Sequence, residues 1–191
     1  GGYILGERLG RGLIGQTWSA LAGDGCATAR SGTELVIKFL WLEDAPDWKA
    51  LERIQAEAQA LRTLSHPARP GYVDAFQTDD TSFVLVMERI HGTSLDTVVA
   101  SGHRFAEADI ERLFADLLDV LSYLHSLRPP VIHRDVNPKN IILRPDGSLS
   151  LVDFSGVQDA VMLAWRDNST MVGTAGYAPL EIGRASCRER V

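Results

Sequence analysis

His133-Arg134-Asp135-Val136-Asn137-Pro138-Lys139-Asn140 is the densest run of chemistry-bearing side chains in this 191-residue chain, and Asp153-Phe154-Ser155 follows thirteen residues after Asn140. The first stretch places a candidate proton acceptor, two amides and two cations in a loop between apolar segments. Ile141 to Leu143 and Leu149 to Val152 read as short strands bracketing the turn Pro145-Asp146-Gly147. Two adjacent strands of that kind bring Asn140 and Asp153 together, and an amide oxygen beside a carboxylate is a hard-oxygen site suited to Mg²⁺ bound to phosphates. Singly, each of these Asp and Asn residues reads as a turn cap. As an ordered set they do not.

Upstream, Tyr3 to Leu9, Thr17 to Ala22 and Glu34 to Leu40 read as three strands. Gly10-Arg11-Gly12-Leu13-Ile14-Gly15 joins the first two. Glycines let backbone N–H groups approach a phosphate closely. Alone the pattern is weak, since a flexible hairpin accounts for it equally well. It precedes a strand rather than a helix, which counts against a dinucleotide-binding crossover. Lys38 ends the apolar run Leu35-Val36-Ile37 and by itself reads as a solvated strand end. A helix is expected from about Trp48 to Leu64, with Leu51, Ile54, Ala58, Leu61 and Leu64 on one stripe and His66-Pro67 as its stop. Glu57 lies on that helix near the apolar stripe and wants a cationic partner, for which Lys38 is available.

Two more strands are expected around Gly71 to Gln77 and Ser82 to Arg89, separated by Thr78-Asp79-Asp80. A long helix should run from about Glu107 to Ser126. Its apolar face comprises Ile110, Leu113, Phe114, Leu117, Leu118, Leu121 and Leu124, and Pro129-Pro130 ends it. The remainder to Glu181 reads as irregular. A strand-rich front and helical back predict two lobes with a boundary near Ile90 to Ser94.

Composition narrows the classes. Hydrophobic residues at 45% and charged residues at 23% are ordinary globular values. A net charge of −6 with no basic cluster argues against a nucleic-acid partner. No apolar run approaches the ~20 residues that span a bilayer, so no membrane contact is expected. Two cysteines, Cys26 and Cys187, make no disulfide framework, and a reducing cytoplasm is the expected location.

Taken in order, Gly10-x-Gly12-x-x-Gly15-x-Thr17, Leu35-Val36-Ile37-Lys38, Glu57, His133-Arg134-Asp135, Asn140 and Asp153-Phe154-Ser155 resemble the eukaryotic-like (Hanks-type) protein kinases. Gly173-Thr174-Ala175-Gly176-Tyr177-Ala178-Pro179-Leu180-Glu181 looks like the end of an activation segment, and its Gly-Thr pair resembles the serine/threonine branch. The short loops and the Pro-Leu-Glu ending look most like bacterial members. The resemblance covers Tyr3 to Glu181. It implies an α+β, bilobal protein-kinase fold, with a β-rich N-terminal lobe over about 3–90 and a truncated, mainly helical C-terminal lobe over about 91–181.

The roles it implies are those of an enzyme that transfers the γ-phosphoryl group of ATP to a hydroxyl of a serine- or threonine-bearing protein substrate, with ATP and Mg²⁺ as cofactors. Gly10, Arg11, Gly12 and Gly15 should cover the phosphates. Lys38 should hold the α and β groups, and Glu57 should orient it. Asp135 should accept the substrate proton, while Asn140 and Asp153 bind Mg²⁺. Met87 guards the back of the adenine pocket, Glu88 to Ile90 supply the hinge backbone, and Thr17, Val36 and Ile142 sandwich the base. Leu61, His133 and Phe154 belong to a stack linking the lobes, so His133 is structural. Arg134 would pair with a phosphorylated loop residue such as Ser169 or Thr170.

The chain departs from the family pattern at several points. Asn137 replaces a lysine that neutralises charge on the transferred phosphoryl group, and Lys139 is expected to supply that charge instead. Ser155 replaces a glycine, Val36 an alanine and Leu180 a proline. Asn137 and Ser155 keep open a pseudokinase alternative, a nucleotide-binding scaffold without catalysis. A small-molecule kinase of related fold is a third alternative. Residues 182–191 back-translate, as ATC GGA AGA GCG TCG TGT AGG GAA AGA GTG, to a short-read sequencing adapter, and are expected not to be native. Glu181 straddles that junction. The chain lacks a starting Met and shows no signal peptide, which reads as a fragment incomplete at its front.

Overall fold

Five runs rich in β-branched and aromatic residues, punctuated by Gly, Asp and Thr, form the first sheet of the computed structural model. The structure describes residues 2–11, 15–41, 58–79, 82–128, 130–154 and 158–159. Strands β1 (Tyr3–Arg11), β2 (Gly15–Ala22), β3 (Glu34–Trp41), β4 (Tyr72–Asp79) and β5 (Ser82–Glu88) are antiparallel in the order β1-β2-β3-β5-β4. The pleat sends alternate residues to opposite faces. Ala20, Ala22, Leu35, Ile37, Val84 and Val86 therefore meet on one face as a buried core, with Tyr3, Phe39 and Val73 packed against it. Each large aliphatic side chain buried there stabilises by about 1.5–3 kcal/mol.

Edge strands β1 and β4 are drawn together through Tyr3, whose ring stacks on Phe76 at 6.2 Å. The Tyr3 hydroxyl donates to Asp74 Oδ2 at 3.0 Å and lies 2.6 Å from Thr28 Oγ1. Burial, with help from Asp74, pushes this phenol up to about 12. Register slips in β1 between Leu5 and Arg8, where Ser19 Oγ accepts the Glu7 N–H at 2.8 Å and so satisfies a donor that the ladder loses.

The chain divides into two compact units between Ile90 and His91, and residues His66–Ala68 go with the second. Helix α1, residues 58–63, precedes that excursion and buries Ala58, Ala60 and Leu61, with Leu64 buried just beyond its end. The earlier part of the expected helix, including Glu57, lies outside the described residues. His66 does more than end a helix. Its Nδ1 accepts the Ala68 N–H, its Nε2 lies 3.2 Å from Asp119 Oδ2, and its ring sits 5.1 Å from Tyr123. The Ala68 carbonyl accepts from Leu151 N–H, and Arg144 Nη2 donates to the Pro67 carbonyl. The four contacts to Asp119, Tyr123, Leu151 and Arg144 tie these three residues to the second unit.

That unit contains β6 (Thr93–Ser94), α2 (Leu95–Ala100), α3 (Glu107–Ser126), β7 (Val131–Ile132), β8 (Ile141–Leu143), β9 (Leu149–Leu151) and β10 (Gln158–Asp159). Its sheets run β6-β8-β9 and β10-β7. β6, α2, β7 and β10 escape a periodicity reading because two to six residues hold too little of a repeat. Helix α3 has the expected ends but a narrower buried face. Leu113, Val120 and Leu124 are buried against β7 and β9, while Ile110, Phe114 and Leu118 are 43%, 61% and 58% exposed. Two short strands touch one side of the helix only, and nothing among the described residues covers the second stripe. No described helix is long and apolar enough to cross a membrane.

Candidate active site

Pro138 sets the local geometry. Its fixed φ and missing N–H suit the first position of the one-turn 3-10 helix Pro138–Asn140, and Asn137 caps that turn with φ −150° and ψ 163°. Asn137 Oδ1 accepts the Lys139 N–H at 2.9 Å. Its Nδ2 donates back to the Asp135 carbonyl at 3.2 Å and to Asp135 Oδ1 at 3.0 Å. Asn140 Nδ2 donates to the same carbonyl at 2.9 Å and to Asp135 Oδ2 at 2.9 Å. All the Asp135 atoms involved are acceptors, so only the NH₂ ends of the two amides satisfy them. Each oxygen of the Asp135 carboxylate is thus held by a different, buried asparagine.

Holding Asn140 by its NH₂ turns its Oδ1 to the other end of the amide. The Asn140 carbonyl accepts Val152 N–H at 2.8 Å, which places Asp153 one residue from that tie. Asp153 has φ +61° and Arg134 φ +65°. A non-glycine residue in the left-handed region costs about 1–3 kcal/mol and persists where its surroundings over-determine it. Both strained residues flank chemistry: one precedes Asp135, the other is the candidate metal carboxylate. Local patterning carried no signal for either angle.

Between them, His133 is buried with its ring 4.8 Å from that of Phe154 at 65°, an edge-to-face contact. Among the described residues neither ring nitrogen makes a well-formed hydrogen bond. Burial pushes the imidazole below its ordinary value, with the Asp153 carboxylate and the Val152 backbone acting the other way. His133 is thus a packed ring whose burial disfavours the charged imidazolium.

In the first unit the register collects the expected nucleotide-facing residues. Thr17, Lys38 and Leu85 are successive cross-strand partners, as are Ser19, Val36 and Met87. Thr17, Val36, Lys38 and Met87 therefore share one face of the sheet, opposite the buried core. Arg11 is exposed and pairs with Gln16. A Cβ on Gly10 meets nothing within 4 Å among the described residues, whereas one on Gly15 collides with the Phe39 carbonyl oxygen. The Glu88 N–H is used by the Gly71 carbonyl and the Arg89 N–H by the Glu34 carbonyl. Ile142 lies in β8 of the second unit, cross-strand to Ser150. Gly12, Ser155, Ser169, Thr170 and Gly173 to Glu181 lie outside the described residues, as do residues 182–191.

Among the described residues no group of three or more His, Cys, Asp or Glu side chains is placed to ligate a metal. Mg²⁺ needs none, since it is held by one or two side-chain oxygens plus phosphates and water. The Asn140 Oδ1, an acceptor left over from the Nδ2 contacts to Asp135, and the Asp153 carboxylate are oxygen donors of that kind.

Residues 3–188 match the family of the Protein kinase domain. The chain is 35% identical to serine/threonine-protein kinase B of Synechocystis sp. over 187 residues, which cover 91% of this chain and 31% of that protein. It is 36% identical to serine/threonine-protein kinase C of the same organism, over 94% of this chain and 34% of the relative. It is 28% identical to CDPK-related kinase 4 of Arabidopsis thaliana, over 95% and 30%. The chain spans about a third of the length of these relatives. The expected likeness to bacterial serine/threonine kinases is borne out, and the chain belongs to the protein kinase domain family.

Proposed function

We propose that the protein bearing this chain is an ATP-dependent serine/threonine kinase, which transfers the γ-phosphoryl group of ATP to a hydroxyl of a protein substrate. The observation that carries the reading is the Asp135 carboxylate, oriented from both sides by Asn137 and Asn140. Asp135 takes the proton as the substrate oxygen bonds to the γ-phosphorus. The bond from that phosphorus to the β–γ bridging oxygen breaks, and ADP leaves with the electron pair. Positioning and charge neutralisation supply most of the acceleration in such a transfer.

Lys38 holds the α and β phosphates and is oriented by Glu57. Gly10, Arg11, Gly12 and Gly15 cover the phosphates. Thr17, Val36 and Ile142 sandwich adenine, with Met87 behind it. Because the Glu88 and Arg89 N–H groups are engaged within the sheet, the Glu88 carbonyl and the Ile90 backbone are the hinge groups for the base. Asn140 and Asp153 would hold Mg²⁺, which would supply neutralisation of the phosphate charge. Lys139 supplies the cation that Asn137 cannot. The protein acts on other proteins in the cytoplasm, without nucleic-acid or membrane contact through this domain.

Transfer from [γ-³²P]ATP by the full-length protein tests the reading. Labelling of protein that vanishes in Asp135→Asn is expected. Mg-ATP binding without labelling would instead establish a scaffold, and label on a metabolite a small-molecule kinase.

A further inference from the structure

Asn137 stands where the family resemblance puts a lysine, and a lost charge is the first reading of that exchange. Its surroundings give it a different task. The side chain is 3% exposed and tied at both ends, with its oxygen on the Lys139 N–H and its nitrogen on Asp135. Capping a helical turn needs only an acceptor, and Asp or Ser serve as well as Asn. Lysine has no acceptor at all. Asp lacks the donor and Ser has a single oxygen to serve both partners, whereas Asn caps Lys139 with one atom and donates to Asp135 with another.

We propose that Asn137 is a positioning residue for phosphoryl transfer, setting the rotation of the Asp135 carboxylate through its Nδ2–Oδ1 hydrogen bond. The inference rests on the kinase reading above. The torsion about Cβ–Cγ of an aspartate is broad and roughly two-fold, so a single anchor leaves the carboxylate loosely aimed. Asn140 grips Oδ2 and Asn137 grips Oδ1, and both also hold the Asp135 carbonyl. The two amides thereby lock side chain and backbone as one body. The cap keeps Asn137 from flipping, because reversal would set its oxygen against the carboxylate and its NH₂ against the Lys139 N–H.

The test separates cap from clamp in the full-length protein. Asn137→Asp keeps size and the capping oxygen but removes the donor. Asn137→Ser keeps a capping oxygen on a side chain one bond shorter. For both, kcat is expected to fall on the order of 10²-fold while KM for ATP stays within about twofold, the signature of a misaimed base. Wild-type kcat in either folded variant overturns the proposal, as does a raised KM with unchanged kcat. Should Asn137→Asp not fold, the serine variant decides alone. A wild-type protein without any transfer overturns the kinase reading and this one together. Transfer that Asp135→Asn abolishes and the Asn137 variants leave untouched overturns this one only.

Discussion

Among the described residues nothing lies near a Cβ built on Gly10, whereas one on Gly15 collides with the Phe39 carbonyl oxygen and closes on the Leu40 Cα at 3.2 Å. Among the described residues, packing requires the second glycine and places no such demand on the first. Gly15→Ala must push β2 off β3 and is expected to cost about 1–3 kcal/mol in urea denaturation. Gly10→Ala should change stability by no more than about 0.5 kcal/mol, and any rise in its KM for ATP measures what a phosphate needs there. His133 answers to pH. Its folded value lies below the ordinary 6.5, so below pH 6.5 the unfolded chain takes up a proton that the folded one refuses. Stability should therefore fall as pH drops from 7.5 through 6.5 toward the folded value. His133→Phe, which keeps a ring against Phe154, should flatten that part of the profile.

Helix α3 presents two apolar stripes of different standing. Leu124 is buried and Leu118 mostly exposed. Leu124→Ala is expected to cost about 2–5 kcal/mol and Leu118→Ala under about 1 kcal/mol, measured by chemical denaturation. At the other end of the unit, Gly92 has φ +146°, and a Cβ there falls 2.2 Å from the Leu143 carbonyl oxygen and 2.7 Å from Ile142 Cγ2. The turn leading into β6 can therefore run against β8 only with glycine. Gly92→Ala should lower the melting temperature by several degrees, through backbone strain and displacement of β8 together.

At the scale of the whole chain, Lys38 belongs to the first unit and Asp135, Lys139, Asn140 and Asp153 to the second. Lys139→Ala is expected to lower kcat roughly 10²-fold with little change in KM for ATP, as removal of a transition-state charge does. Unchanged turnover would remove Lys139 from the mechanism. The three-residue excursion His66–Ala68 is likewise a property of the whole chain, since its partners Asp119, Tyr123, Arg144 and Leu151 are more than fifty residues away.

Strand alternation and the 3.6-residue stripe are local, so the sequence alone determined β1 to β5, both ends of α3 and the β8–β9 hairpin to within a residue or two. It also determined the family, because several motifs in one order are improbable by accident. Its register of Thr17, Val36, Lys38 and Met87 on one face follows from the period of two. Tertiary structure alone decided what depends on distant or three-dimensional partners. The left-handed Arg134 and Asp153, the narrow buried stripe of α3 and the transfer of His66–Ala68 to the second unit all arise from contacts that no window of sequence contains. Asn137 shows the difference most sharply. As a letter it is a missing positive charge. Folded, its two ends meet a backbone N–H and a carboxylate at once, and hydrogen-bond geometry rather than residue type defines what it does.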